Sequence, residues 1–96
     1  GMNILEKYGF DKDEIQEYID NTPPKMQNLL EKHLPLVEVN LKYIQNLGIA
    51  TYKEIFINYP DMFLMDASNF SEMFSKYETE ELIEKLNNNF KLVEYL

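Results

Sequence analysis

The sequence predicts an all-α fold of about six to eight short helices in an irregular helical-repeat arrangement of stacked helix-turn-helix units. Apolar residues recur three and four positions apart throughout the chain, whereas alternation with a period of two nowhere extends far enough for a strand. Glycine and proline separate these patterns where helices can end. With 96 residues and 45% hydrophobic content, the chain has the size of one domain with one core. We therefore expect a single helical domain over residues 2–96 and interpret Gly1 as the remnant of an expression tag.

The first third of the chain predicts three short helices. Gly9 can adopt the left-handed conformation that ends the first helix. The second helix is predicted to begin at Asp11, since Asp11 and Glu14 have the spacing of a capping box. It must end before Pro23, and Thr22 is predicted to cap the third helix.

The longest helical pattern occupies residues 34–47. Its apolar residues cover more than one stripe, which predicts a central helix with neighbours on several sides. Pro35 stands in the first turn, where its missing N–H costs nothing, and Gly48 stands where the helix should end. A further helix is predicted to begin at Thr51, which forms a second capping-box pattern with Glu54 and precedes another proline.

The rest of the chain predicts four short elements. Residues 61–65 are apolar but too few for a full helix, so we expect a buried single turn. One helix is predicted to begin at Asp66 or Ser68, and another at Glu78. Residues 90–96 are predicted to form a final turn docked on the core.

The charge limits the classes of partner. Nine lysines against seventeen acidic residues leave a net charge of −8, and the chain has no arginine. Direct binding of nucleic acid is therefore not expected, since phosphate contacts draw on lysine and especially arginine. No run approaches the roughly 18 apolar residues that span a bilayer, so the sequence indicates a cytoplasmic protein without a membrane partner.

The sequence offers no set of residues typical of catalysis. Cysteine is absent and His33 is the only histidine, so neither a thiolate nor a histidine-based metal site can be assembled. Ser68, Ser71 and Ser75 lack a neighbouring base that would activate them. We therefore expect no enzyme and no cofactor.

Two groups of residues are candidates for a partner surface. Val39 and Ile57 fall outside the main apolar stripes; if they are exposed, with Tyr52 nearby, they form an apolar patch fit for a partner or for self-association. The second group is the densest acidic cluster, for which the alternative interpretation is a solvated helix start. A basic partner protein would complement the cluster, and an oligomer could form through the patch. The candidate residues are Val39, Tyr52, Ile57, Glu80, Glu81 and Glu84.

Three places in the chain repeat a similar order of helix end, capped restart and apolar i, i+4 pair. The middle one resembles the helical repeat of the mitochondrial transcription termination factor family, in which a leucine-glycine pair precedes a capped helix, a proline and a short apolar turn. The residues that carry the resemblance are Leu47, Gly48, Ile49, Glu54, Ile55, Pro60, Met62 and Phe63. The resemblance implies left-turning stacks of helical triplets.

The sequence as a whole therefore favours a non-enzymatic, small, acidic, helical protein-interaction module. The alternative is a nucleic-acid-related regulator. It would act either as a termination-factor-like repeat or as an acidic mimic of DNA that binds a basic protein.

Overall fold

The computed structural model describes residues 3–96, and over this range the chain forms seven α-helices and two 3-10 helices, with no strand. This confirms the predicted all-α fold of six to eight helices. Gly1 lies outside the described residues, so its interpretation as a tag remnant stays a prediction. The elements are α1 (Asn3–Lys7), α2 (Lys12–Asn21), α3 (Pro24–Lys32), α4 (Leu34–Leu47), α5 (Tyr52–Asn58), η1 (Pro60–Leu64), α6 (Ala67–Ser75), α7 (Thr79–Asn88) and η2 (Phe90–Tyr95).

Three helix ends form as local sequence chemistry predicts. At the start of α2, the Glu14 amide donates to the Asp11 carboxylate at 2.8 Å, and the Asp11 amide donates to the Glu14 carboxylate at 2.9 Å. Gly48 ends α4 at a φ of 97°, in the left-handed region that a side chain disfavours. Asp66 begins α6 by accepting from the Ser68 and Asn69 amides.

Two predicted side-chain caps are wrong, although α5 does begin directly after Thr51 as predicted. The Thr51 hydroxyl makes no capping hydrogen bond to α5; it donates instead to the carbonyl of Leu86 in α7 at 2.9 Å. That carbonyl belongs to the last turn of α7, where no helical N–H is left to reach it, so the threonine satisfies a distant helix end rather than its own. Thr22 is buried at the C-terminal end of α2, and α3 begins at Pro24 with Pro23 in the cap position.

The core is centred on α5, which lies among α2, α4, η1 and η2. Three consecutive residues of this short helix, Ile55, Phe56 and Ile57, are buried, so α5 is covered on opposite sides. The predicted central helix α4 also has several neighbours, since it contacts α3, α5, α6 and η1. One face of α4 nevertheless remains exposed, because no element formed by residues 3–96 covers it.

A row of aromatic rings runs through this core. The Phe56 ring lies 5.7 Å from Phe10, 5.2 Å from Tyr18 and 5.1 Å from Phe63, measured between centroids. Phe63 in turn contacts Phe70 at 5.2 Å. The row connects Phe10, in the turn between α1 and α2, to α6 by way of α5 and η1. Tilted and edge-on ring contacts of this kind stabilise the core beyond the effect of burying apolar area.

A buried amide fixes η1 against α4. The Nδ2 atom of Asn40 donates to the carbonyls of Phe63 at 3.1 Å and Met65 at 2.9 Å. These bonds satisfy two carbonyls at the end of a short 3-10 helix. They also fix the rotation of α4, which places the neighbouring residue Val39 on the outer side.

Candidate partner surfaces

The outer face of α4 carries one large exposed apolar residue, Val39, whose side chain is 52% exposed. Pro35, Lys42 and Asn46 are also exposed and lie four, three and seven positions from Val39. This spacing places all four on one side of the helix. We call these four residues the α4 stripe; its prominent member is the valine that the sequence singled out.

A groove of about 550 Å³ runs beside the α4 stripe, between α1 and α4. We call it the α1–α4 groove. Its walls combine apolar, amide and charged side chains. Pro35 and Val39 of the α4 stripe contribute apolar surface to them. The lining residues are Lys7, Tyr8, Pro35, Glu38, Val39, Lys42, Gln45 and Asn46.

Glu38 is held firmly within this groove. One of its carboxylate oxygens, Oε2, accepts from Lys7 Nζ at 2.6 Å and from Tyr8 Oη at 2.9 Å. The Lys7 hydrogen bond, and then the one from Tyr8, lower the pKa of Glu38 below its ordinary value. The same hydrogen bond to Glu38 raises the pKa of Lys7, and burial followed by the Glu38 hydrogen bond raises that of Tyr8. The carboxylate is therefore ionised and pre-oriented at neutral pH.

Tyr52 and Ile57 do not extend the α4 stripe into the predicted apolar patch. Ile57 is only 3% exposed, so its prediction as a surface residue is wrong, because α5 is enclosed by its neighbours on both faces. Tyr52 is half-buried, and its hydroxyl donates to the carbonyl of Tyr8 while accepting from Gln45 Nε2 at 3.1 Å. The hydroxyl of Tyr52, together with an edge contact of its ring to Phe10 at 6.3 Å, thus holds the turn after α1 in place.

The predicted acidic cluster does lie on the surface. Glu80, Glu81 and Glu84 are all exposed on α7, and only Glu81 forms an ion pair, with Lys85 at 3.1 Å. That pair is itself exposed on both sides and so contributes little to stability. Most of this acidic charge therefore faces solvent without a cation from the described part of the chain.

An exposed aromatic residue lies just before α7, the helix that carries these carboxylates. Tyr77 is 41% exposed and lies two residues beyond Ser75, where α6 ends. Together with Glu78 and Glu81 it lines a shallow depression of about 120 Å³. We call Tyr77, Glu80, Glu81 and Glu84 the α7 acidic face.

Other candidate chemistry does not assemble in the described residues. His33 is exposed at the junction of α3 and α4. Within residues 3–96, no three acidic or histidine side chains converge in a way that could hold a metal ion. Over the same range, no helix combines the length and the apolar character needed to cross a membrane.

Comparison with known proteins returns nothing similar. No family model matches the chain, and neither a search of curated proteins nor a search of solved structures yields a match.

Proposed function

We propose that this chain is a non-enzymatic, acidic protein-interaction module that binds a basic segment of a partner protein at the α7 acidic face. The proposal rests on the exposed carboxylates of α7, of which Glu80 and Glu84 form no ion pair with a described residue. At the start of the same helix the exposed Tyr77 lines a depression with Glu78, Glu81 and Lys85.

The chemistry of the α7 acidic face suits lysine and arginine side chains. Carboxylates accept charge-assisted hydrogen bonds from either cation, and the face of Tyr77 can bind a cation through its ring electrons. Tyrosine is also among the residues enriched at protein interfaces. The net charge of −8 adds a long-range attraction that speeds the encounter with a positively charged protein.

The strength of such binding depends on several contacts acting together. Each exposed ion pair contributes only about 0.2–1 kcal/mol, so one carboxylate alone would not hold a partner. We therefore expect a salt-sensitive complex that needs both the glutamates and the aromatic ring.

Binding of a fluorescent lysine- and arginine-rich peptide tests the proposal. The triple variant Glu80→Gln, Glu81→Gln, Glu84→Gln should weaken binding about tenfold, which corresponds to about 1.4 kcal/mol. The matched control is Glu6→Gln, Glu17→Gln, Glu54→Gln, which removes the same charge from exposed positions elsewhere. If the two triple variants lose peptide affinity equally, binding depends only on net charge, and the proposal of a specific binding face on α7 is contradicted.

Tyr77→Ala separates aromatic recognition from charge. It leaves the net charge unchanged, so weaker binding by this variant would show a contribution from the ring. Unchanged peptide affinity would remove Tyr77 from the proposed surface.

The same uncompensated carboxylates support a second candidate function, an acidic mimic of nucleic acid that occupies a DNA-binding protein. In that case, unlabelled DNA should displace this chain from its basic partner. A direct, salt-dependent shift of labelled DNA or RNA would instead favour the regulator implied by the resemblance to the termination-factor repeat.

A further inference from the structure

We propose that two copies of this chain associate about a two-fold axis at the α4 stripe, with Val39 of one copy packed against Val39 of the other. This inference goes beyond the proposed function, since it uses a different helix and a different kind of contact.

The distribution of charge selects this surface for self-association. Two molecules that each carry a net charge of −8 repel one another, and the repulsion is strongest where exposed carboxylates face each other. Three carboxylates are exposed on α2 and three on α7, whereas the exposed residues of α4 include none. The exposed face of α4 instead presents Pro35, Val39, Lys42, Gln45 and Asn46.

The sequence of α4 is also complementary to itself in the antiparallel direction. When two antiparallel α4 helices cross at Val39, residues after the valine in one copy lie beside residues before the valine in the other copy. The separation along the helix axis between Lys42 of one copy and Glu38 of the other is then only two residues, or about 3 Å, which allows an ion pair. Because the dimer is two-fold symmetric, this ion pair forms twice.

The geometry of Glu38 prepares it for that pair. Its Oε2 atom is occupied by Lys7 and Tyr8, which leaves the second oxygen, Oε1, to accept from the lysine of the other copy. The two Glu38 carboxylates approach each other near the axis, but each arrives with Lys7 of its own copy at 2.6 Å. Their mutual repulsion is therefore largely offset.

The α1–α4 groove provides room for the second helix. At about 550 Å³ and with Val39 and Pro35 in its wall, it can receive side chains from the flank of the other α4. A 14-residue helix is only about 21 Å long, so the buried area is small for a stable dimer. We accordingly expect a weak dimer that dissociates on dilution.

Sedimentation equilibrium over a concentration series tests the proposal. The wild-type chain should show a monomer–dimer equilibrium, and Val39→Glu should be monomeric because it places two carboxylates at the axis. Ile19→Glu is the matched control, since Ile19 is 44% exposed on α2, away from the stripe. A wild type that remains monomeric up to about 1 mM, or an equal loss in both variants, would overturn the proposal.

A disulfide provides a second test that does not depend on the behaviour of Val39→Glu. The chain has no cysteine, so Val39→Cys introduces a single thiol. Helices packed about 8–10 Å apart bring facing Cα atoms within the range of about 4.4–6.8 Å that a disulfide bridges. The control is Leu29→Cys, since Leu29 is 42% exposed on α3. Mild oxidation should cross-link Val39→Cys at least tenfold faster than this control, and similar rates would overturn the arrangement.

The two proposals can fail separately. Loss of dimer formation in Val39→Glu should leave binding of the basic peptide at the α7 acidic face unchanged. Conversely, the triple glutamine variant of that face should dimerise at least as well as the wild type, because it carries less negative charge.

Discussion

Tyr18 shows how a single buried group can oppose the stability of its own core. Its ring packs 5.2 Å from that of Phe56, yet its hydroxyl is buried without a hydrogen-bond partner in the described structure. Burying an unpaired hydroxyl has a cost that ring packing must offset. Burial also disfavours the charged phenolate more than the neutral phenol. This burial, and to a smaller extent the negative charge of Glu31, raises the pKa of Tyr18 to about 12.

Tyr18→Phe should therefore leave the free energy of unfolding unchanged or raise it by up to about 1 kcal/mol, because the ring contact survives while the unpaired hydroxyl is removed. Urea denaturation at neutral pH measures this. Tyr95→Phe, at a side chain that is 81% exposed, is the control and should have no effect. A loss of more than about 1 kcal/mol in Tyr18→Phe would mean that the hydroxyl has a partner.

The same variant has a second signature in alkali. The pKa of Tyr18 is higher in the folded state than its ordinary value of 10.0, so below pH 10 the group is neutral in both states and its ionisation does not lower the stability of the fold. As the pH rises from 10 through about 12, the unfolded chain loses this proton before the folded chain does, and stability falls. Unfolding between these values should thus be steeper with pH for the wild type than for Tyr18→Phe.

Residue identity alone reveals only part of the surface. Val39 could be recognised from the sequence as a candidate surface residue, because it falls outside the regular apolar stripes of α4. Its exposure in the structure agrees with that position. Glu38 and Lys42 could have been found as an i, i+4 pair on either side of it. Asn40 could not, since its role depends on carbonyls of η1 more than twenty residues away.

At the scale of elements, α1 depends on one carboxylate of α4. A helix of five residues is too short to persist without tertiary contacts, and Lys7 and Tyr8 attach its end to Glu38. Since the folded-state pKa of Glu38 is lowered, this contribution is present above the ordinary value of 4.5 and is lost as the pH falls through the lower, folded value.

Glu38→Gln should consequently flatten the dependence of stability on pH below 4.5. The urea midpoint of the wild type should fall more on acidification than that of the variant, and amide exchange in α1 should show the same difference. Glu84→Gln removes an exposed carboxylate that has no such contacts with residues 3–96 and serves as the control. A wild type and Glu38→Gln with parallel pH profiles would show that α1 is held by its apolar contacts alone.

Element boundaries were predictable wherever the signal is local. The capping box at Asp11 and the left-handed glycine at 48 each involve atoms within a few residues, and both form. Thr51 has the same local pattern as Asp11, but its hydroxyl binds a carbonyl 35 residues away. Ile57 was misplaced for a related reason, since its burial depends on which helices cover α5 rather than on the helix itself.

At the scale of the whole molecule, negative charge is the dominant feature. The Cα radius of gyration is 12.7 Å, so a net charge of −8 is confined to a compact body and repels itself. Periodicity predicted the all-α class because it reflects the burial of one helix face. It did not predict which exposed faces would carry the acids, because that follows from the packing of helices distant in sequence.

Salt should therefore stabilise this protein. Raising the ionic strength from about 0.01 M to about 0.15 M shortens the screening length from about 30 Å to about 8 Å, which weakens the self-repulsion of the folded state. We expect the Tm of the dilute monomer to rise by a few degrees. The rise should be smaller in the triple variant Glu80→Gln, Glu81→Gln, Glu84→Gln, and a fall in Tm would show that attractive pairs outweigh the repulsion.

The position of α5 has a consequence for synthesis on the ribosome. Tyr52 holds a carbonyl 44 residues upstream, and Thr51 one that lies 35 residues downstream. A nascent chain that ends before α5 can attach α1 to Glu38 of α4, but it lacks the helix on which α2 packs and around which the core is built. A chain that ends before α7 lacks the second attachment. The N-terminal helices should therefore remain sensitive to proteases until most of the polypeptide has been made.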